Sequence, residues 1–239
     1  MNTVKVNKKN AKMIAHRGLS GIERENSNAA FIAAGNRSYF GIETDVHKTL
    51  DGKFVVIHDE TTGRVAIDNI DVENSTFDTV RRILLAEKDG TKGREDLHIP
   101  TLKEYINTCK RYEKMAILEL KNAFTDEEIG RICGEIIECE YLDKVVFISF
   151  NYENLLKLRK IYPNHPAQFL TGKYSRELLD KLVKDKFDLD IDFNALNKDI
   201  IKEIKDAGLL LNAWTVDDKE TAENLIEWGI DFITTNILE

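Results

Sequence analysis

From residue 115 to residue 234 the chain alternates between short apolar runs and helix-like segments with hardly a break. The runs fall at 115–121, 145–150, 166–171, 187–191, 209–214 and 231–234. Segments that read as helices lie between them, at 126–140, 152–161, 175–184, 198–207 and 217–228, and Gly208 and Gly229 stop the last two. Repetition of strand, helix and strand builds a parallel sheet, because each helix carries the chain back to the end where the next strand must start.

The first half of the chain adds two more strands. Residues 13–15 form a short one ending at His16-Arg17-Gly18, and a helix over 28–36, capped by Ser27, leads to the second at 41–46. Leu50-Asp51-Gly52-Lys53 then carries an Asp-Gly turn signal, and the apolar run 54–57 returns towards His58-Asp59. From 61 to 97 the pattern weakens into an irregular insertion, helical over 76–85 and polar with glycine over 88–96. Pro100-Thr101-Leu102 opens a helix to about Arg111. Eight strands with helices between most of them predict a TIM (β/α)8 barrel, with residues 1–239 as one domain and the insertion at about 61–97. The runner-up is an open doubly wound sheet, which lacks the Gly-rich phosphate loop after its first strand. No helix follows the last strand, so the N-terminal residues are expected to cover the barrel bottom or the seam.

Composition narrows the function. With 42% apolar and 32% charged residues, the chain has the makings of a soluble globular protein with a sizeable core. A formal net charge of −8 argues against a nucleic-acid partner, which needs clustered Lys and Arg, and still permits a local basic pocket. Cys109, Cys133 and Cys139 form no CxxC pair and read as reduced thiols. No apolar run approaches the ~18 residues of a membrane span, and residues 1–12 lack the apolar core of a secretory leader. The expected location is cytoplasmic, without stable membrane insertion; oligomeric state stays open.

In a barrel the C-terminal strand ends face the active site. The first strand delivers His16 and Arg17 there. On the second, Glu43 and Asp45 are two residues apart and so point to one face. The next crossover strand places Glu119 and Lys121 on one face, although a buried parallel strand should be apolar on both. A later strand ends at Trp214, and the hairpin carries His58 back towards the acids. Each signal has a bland reading: solvated acids on an edge strand, a structural Glu119–Lys121 ion pair, a turn-capping His58, and core positions for His16 and Trp214. Their joint appearance at the ends of three strands suggests instead a site for a cation and proton transfer.

The ordered blocks Ala-His-Arg-Gly (15–18), Glu-Asn-Ser (25–27), Gly-Ile-Glu-Thr-Asp-Val (41–46), Asp-Gly-Lys-Phe-Val-Val-Ile-His-Asp (51–59), Ile-Pro-Thr-Leu (99–102), Leu-Glu-Leu-Lys (118–121), Ala-Trp-Thr-Val (213–216) and Gly-Ile-Asp-Phe-Ile-Thr-Thr-Asn (229–236) resemble the glycerophosphodiester phosphodiesterases. The resemblance spans nearly the whole chain and implies a TIM barrel. It also implies that Glu43, Asp45 and Glu119 bind a divalent metal and that His16 and His58 are the acid/base pair. Arg17 and Lys121 would then contact the phosphate, with Trp214 on the substrate. Three carboxylates and no thiol suit a hard cation, Mg²⁺ or Ca²⁺. The expected reaction, a step in lipid and glycerol metabolism, is hydrolysis of small glycerophosphodiesters to sn-glycerol 3-phosphate and an alcohol. Which histidine is acid and which base stays open, as does whether water or the substrate's neighbouring hydroxyl attacks first. A lysophospholipid or phosphoinositol diester is the alternative substrate, and a non-catalytic anion-binding barrel the alternative class. Two positions depart from the family pattern: Arg24 stands where proline usually precedes the Glu-Asn block, and Thr235-Asn236-Ile237 replaces an Asp-x-Pro. Both are expected to affect loop shape rather than activity.

Overall fold

Nine strands form one sheet in the computed structural model, which describes residues 2–91 and 94–239. Met1, at the head of the tail read as lacking a leader, and Lys92 and Gly93, inside the polar loop 88–96, lie outside the described residues. The strands are β1 (Lys12–Ala15), β2 (Gly41–Lys48), β3 (Phe54–Val56), β4 (Met115–Leu120), β5 (Val145–Ser149), β6 (Ala167–Thr171), β7 (Asp188–Asp192), β8 (Leu211–Trp214) and β9 (Phe232–Thr235). All but β3 pair in parallel, and β1 bonds to both β9 and β2, so eight strands close into a TIM barrel. The hairpin strand β3 stays outside the ring, antiparallel to the far end of β2, with Val46 opposite Val56 and Lys48 opposite Phe54. Helix α1 (Asn28–Gly35) joins β1 to β2; α2 (Phe77–Arg82) and α3 (Leu102–Arg111) lie between β3 and β4. The remaining crossovers are α4 (Asp126–Glu138), α5 (Tyr152–Ile161), α6 (Arg176–Asp185), α7 (Lys198–Asp206) and α8 (Lys219–Glu227).

The helices start where side chains can satisfy their first free N–H groups. Ser27 accepts from Ala30 N at the head of α1. Capping boxes open α3 (Thr101 with Glu104) and α4 (Thr125 with Glu128). Pro100 therefore sits just before the N-cap, two positions ahead of the first helical residue Leu102. Buried faces of these helices pack on the outer faces of the strands, through residues such as Ile106, Ile132, Leu155, Leu182, Ile204 and Leu225. Inside the ring a smaller layer of Ile14, Ile117, Ile148 and Leu170 plugs the barrel. Fully burying such a side chain stabilises the fold by about 1.5–3 kcal/mol.

The insertion, though poor in regular structure, has its own apolar centre. Val65, Val72, Val80, Leu85 and Leu97 pack against Val55 and Ile57 of the hairpin. Its backbone is tied down by isolated bridges, Thr61 to Asp71 and Ala66 to Leu85. The ends of the chain meet along the seam: Val4 N donates to the Ile237 carbonyl at 3.1 Å, and Glu239 N to the Val4 carbonyl at 2.8 Å. The Glu239 carboxylate also accepts from Ser38 N at 2.8 Å, beside the start of β2. Among the described residues no helix is long and apolar enough to cross a membrane.

Candidate active site

The carboxylates converge because β2 and β4 are neighbours in register. Asp45 lies directly opposite Glu119, and Glu43 precedes Asp45 by one inward step. Ligand oxygens of Glu43, Asp45 and Glu119 all lie within 4.8 Å of one another, and all three residues are buried. Burial and the neighbouring Asp45 charge push the Glu43 and Glu119 carboxyls up from the usual range. Asp45 moves the other way: burial opposes its charge, but Arg17 and Lys121 outweigh it and hold the carboxyl down. The cluster is thus short of positive charge. Asn26 supports it from the loop, donating to Asp45 Oδ2 at 2.7 Å while its own oxygen accepts from Thr44 Oγ1 at 2.7 Å.

Arg17 turns the chain at the end of β1. It sits at φ 54° and Gly18 at φ 76°, both left-handed. A Cβ on Gly18 would approach the Ala30 backbone to 2.7 Å, so glycine is required by conformation and by space. The turn aims Arg17 N–H at Glu43 Oε2, 2.8 Å away, and puts Arg17 Nε 3.7 Å from Asp45 Oδ2. Lys121 Nζ lies 3.0 Å from Glu119 Oε1 and 3.6 Å from Asp45 Oδ1, as a counter-ion to the acids.

A cavity of about 160 Å³ opens over this cluster, and its lining includes His16, Arg17, Glu43, His58, Glu119 and Trp214. Asp45 and Lys121 stand just behind it. Phe150 joins the rim, 49% exposed and edge-on to Trp214 with ring centroids 5.6 Å apart. The hairpin does bring His58 back: Ile57 N donates to the Asp45 carbonyl at 3.1 Å, and His47 Nε2 lies 3.2 Å from the His58 carbonyl.

Both histidines are held through Nδ1. The Asn236 amide nitrogen donates to Asp217 Oδ2 at 2.5 Å, so its oxygen faces Ser20 Oγ (2.6 Å) and His16 Nδ1 (2.8 Å). An oxygen there requires the proton on His16 Nδ1 and leaves Nε2, 4.0 Å from Glu43 Oε2, as the accepting atom. Burial, with the Arg17 charge, lowers the His16 pKa to about 4. His58 Nδ1 meets Asp59 Oδ1 at 2.5 Å, and burial lowers its pKa although Asp45 and Asp59 pull upwards. Asp59 is fixed in turn by Arg64 at 2.6 and 3.1 Å, and Arg64 also grips Glu25 at 2.7 and 2.8 Å. Glu25 closes the chain onto Arg17 at 2.8 Å, and against its burial the two arginines hold its carboxyl down at about 2.

Several of these partners escape sequence reasoning. Arg64, Asn26 and Asn236 act from loops, where no periodicity assigns a side chain to a face. The segment that departs from the family pattern does more than shape a loop, because Asn236 within it holds His16. Asp190, on the far wall of the cavity, was signalled by the alternation Asp188-Leu-Asp-Ile-Asp192, which resembles a solvated strand until the barrel closes.

Comparison with known proteins agrees with this geometry. The profile of the glycerophosphoryl diester phosphodiesterase family matches residues 16–239. A glycerophosphodiester phosphodiesterase of Caldanaerobacter subterraneus subsp. tengcongensis is 31% identical over 232 residues, covering 94% of this chain and 93% of its own. Among solved structures, a glycerophosphodiester phosphodiesterase from Parabacteroides distasonis superposes with a TM-score of 0.79 at 28% identity, over 95% of this chain and 93% of that one. A phosphodiesterase from Oleispira antarctica, solved with the product sn-glycerol-3-phosphate, shares the fold with a TM-score of 0.86 at 24% identity, over 97% of this chain and 95% of that one.

Proposed function

The chain belongs to the glycerophosphoryl diester phosphodiesterase family and is a glycerophosphodiester phosphodiesterase, and on that premise we propose how and on what it acts. The proposed reaction is metal-dependent hydrolysis of small, soluble glycerophosphodiesters to sn-glycerol 3-phosphate and an alcohol. The observation that carries it is the convergence of Glu43, Glu119, His16 and His58 on one cavity. The whole chain is proposed to act as one domain, since the insertion supplies Arg64 to the chain of contacts that ends at His58. A cytoplasmic setting accords with three buried, unbridged cysteines.

Glu43, Asp45 and Glu119 fit a divalent cation. Their donors are all oxygen, their spacing is that of a shared ligand, and Asp45 Oδ1 is buried without a hydrogen-bond partner among the described residues. A hard cation, Mg²⁺ or Ca²⁺, would offset the repulsion that raises two of the carboxyls and polarise the phosphorus of a bound diester. Arg17 offers a planar fork of donors to phosphate oxygens, and Lys121 a point charge next to the acids. His16 Nε2 and His58 Nε2 are the two atoms free to move protons, one from the attacking group and one to the leaving alkoxide.

Asp59 then serves as a positioning residue for His58. Asp59→Ala should lower kcat about 10- to 100-fold, part of the ~10²–10⁴ that acid–base catalysis supplies, with KM little changed. Equal loss of activity and thermal stability would show the contact to be structural only. Substrate class is tested by comparing glycerophosphocholine and glycerophosphoinositol with acylated lysophosphatidylcholine at matched metal. Faster turnover of the soluble diesters supports the proposal; turnover of the acylated substrate alone refutes it.

A further inference from the structure

The face of β2 that carries Glu43 and Asp45 continues, two residues further, to His47, which neither the cation site nor the proton transfer uses. Its side chain is fully buried. Nε2 donates to the His58 carbonyl at 3.2 Å, and Nδ1 lies 3.2 Å from Oε1 of Glu73, an acid of the insertion. The Asn122 amide, in the loop after β4, donates to the same Glu73 oxygen. Asn122 is held in turn by the buried Asn154 of α5, whose amide donates to the Asn122 carbonyl at 2.7 Å. A line of polar contacts therefore runs from α5 through the insertion and ends on the main chain of His58.

That end point is where the hairpin loses its ladder. Val56 is the last residue of β3, and Ile57 N still donates to the Asp45 carbonyl at 3.1 Å. One residue later the His58 carbonyl accepts from no backbone N–H among the described residues, and His47 is its partner. This carbonyl belongs to the peptide unit joining His58 to Asp59, and that unit is planar. Fixing its oxygen fixes the plane, and the plane decides whether Asp59 Oδ1 reaches back to His58 Nδ1, as it does at 2.5 Å. Water would satisfy the carbonyl without fixing its direction; a buried ring held at both nitrogens does both. We infer that His47 is a positioning residue: with Glu73 it sets the His58–Asp59 peptide, and through it the direction of His58 Nε2. The insertion then has two separate holds on one histidine, Arg64 on the Asp59 side chain and Glu73, through His47, on the main chain.

The inference rests on His58 transferring a proton in the proposed reaction, and its test separates the two. Turnover of glycerophosphocholine at saturating Mg²⁺ and the NMR signals of ¹⁵N-labelled histidine rings read the contact independently. His47→Phe keeps a ring and removes both nitrogens. It should lower kcat about 10- to 100-fold, because a misplacement of ~1 Å costs up to ~10²-fold. KM and Mg²⁺ affinity should stay within about twofold, since neither the acids nor Arg17 depend on the contact. His47→Gln should restore kcat to within about threefold of wild type, because its amide also donates to the carbonyl. Glu73→Ala, at a partly exposed site, guards against a folding defect and should lower kcat by about threefold or more, again with KM unchanged. In a His58→Ala background, His47→Phe should cost less than about twofold more, as groups acting as a unit do. In the spectra, His47→Phe should move the His58 Nδ1 signal and leave those of His16 in place. Unchanged kcat in His47→Phe and Glu73→Ala, losses that multiply in the double variant, a parallel loss of Mg²⁺ affinity, or an unmoved His58 signal each overturn the inference. A His58 signal that moves in a protein with no turnover on any glycerophosphodiester leaves the positioning contact standing and removes the proposed reaction.

Discussion

His16→Ala and His58→Ala should each lower kcat on glycerophosphocholine by about 10²–10⁴-fold, the range that a positioned acid or base contributes. The expectation rests on tautomers. Each ring donates through Nδ1, to Asn236 in one case and Asp59 in the other, and so presents Nε2 as the proton-accepting atom. Burial keeps both rings below their ordinary pKa, so the ring that serves as base is neutral and able to take a proton at Nε2, and the ring that serves as acid must carry a proton on Nε2 before the alkoxide leaves. If the two act in one proton relay, the double variant loses little more than the worse single one, because groups acting as a unit are not additive. Metal binding, read by calorimetry, should persist in both variants. Full activity in either variant would remove that histidine from the mechanism.

The second large effect concerns the acids. Glu43→Gln should reduce turnover about 10³-fold, given the several kcal/mol that a bound cation supplies and ~1.4 kcal/mol for each factor of ten. Its effect on stability has the opposite sign. In metal-free protein burial and the Asp45 charge disfavour an ionised Glu43, and glutamine keeps the acceptor for Arg17 N–H. Metal-free Glu43→Gln should therefore melt at or above the wild-type temperature. Added Mg²⁺ should raise the melting point of wild type, by about 2.7 kcal/mol of stabilisation at 100 times Kd, and move the variant far less. A variant that is inactive and also unstable without metal would point to a structural role for the carboxylate.

How far the sequence reveals this site depends on which element carries each residue. Strand parity is enough to bring Glu43, Asp45 and Glu119 together, because alternate residues of neighbouring parallel strands must share a face once the register aligns. The hairpin is legible from Asp51-Gly52, with Gly52 at φ 75°, and the turn does return His58 to the acids' side. Parity fails at Asp190 for a plain reason: polar alternation means a wet face in an open sheet and a ligand-facing wall inside a closed one. It places Lys121 beside Glu119 but cannot show that Lys121 also reaches Asp45 on the neighbouring strand β2, since that depends on how the two strands come together. The arginine–carboxylate chain from Arg17 through Glu25 and Arg64 to Asp59 joins two loops whose meeting depends on tertiary packing. The insertion hides its core similarly, because Val65 and Val72 lie in loops and only Val80 in a short helix, so no single periodic element carries them.

One cavity at the barrel mouth is proposed to bind a divalent cation and hydrolyse glycerophosphodiesters, and the decisive measurement strips the protein of metal, adds back Mg²⁺ or Ca²⁺ in increasing amounts, and follows release of sn-glycerol 3-phosphate from glycerophosphocholine. Release should be absent without metal, recover saturably as metal is added, and fail to recover in Glu43→Gln. Release undiminished by EDTA, or no sn-glycerol 3-phosphate from any glycerophosphodiester at saturating metal, would contradict it.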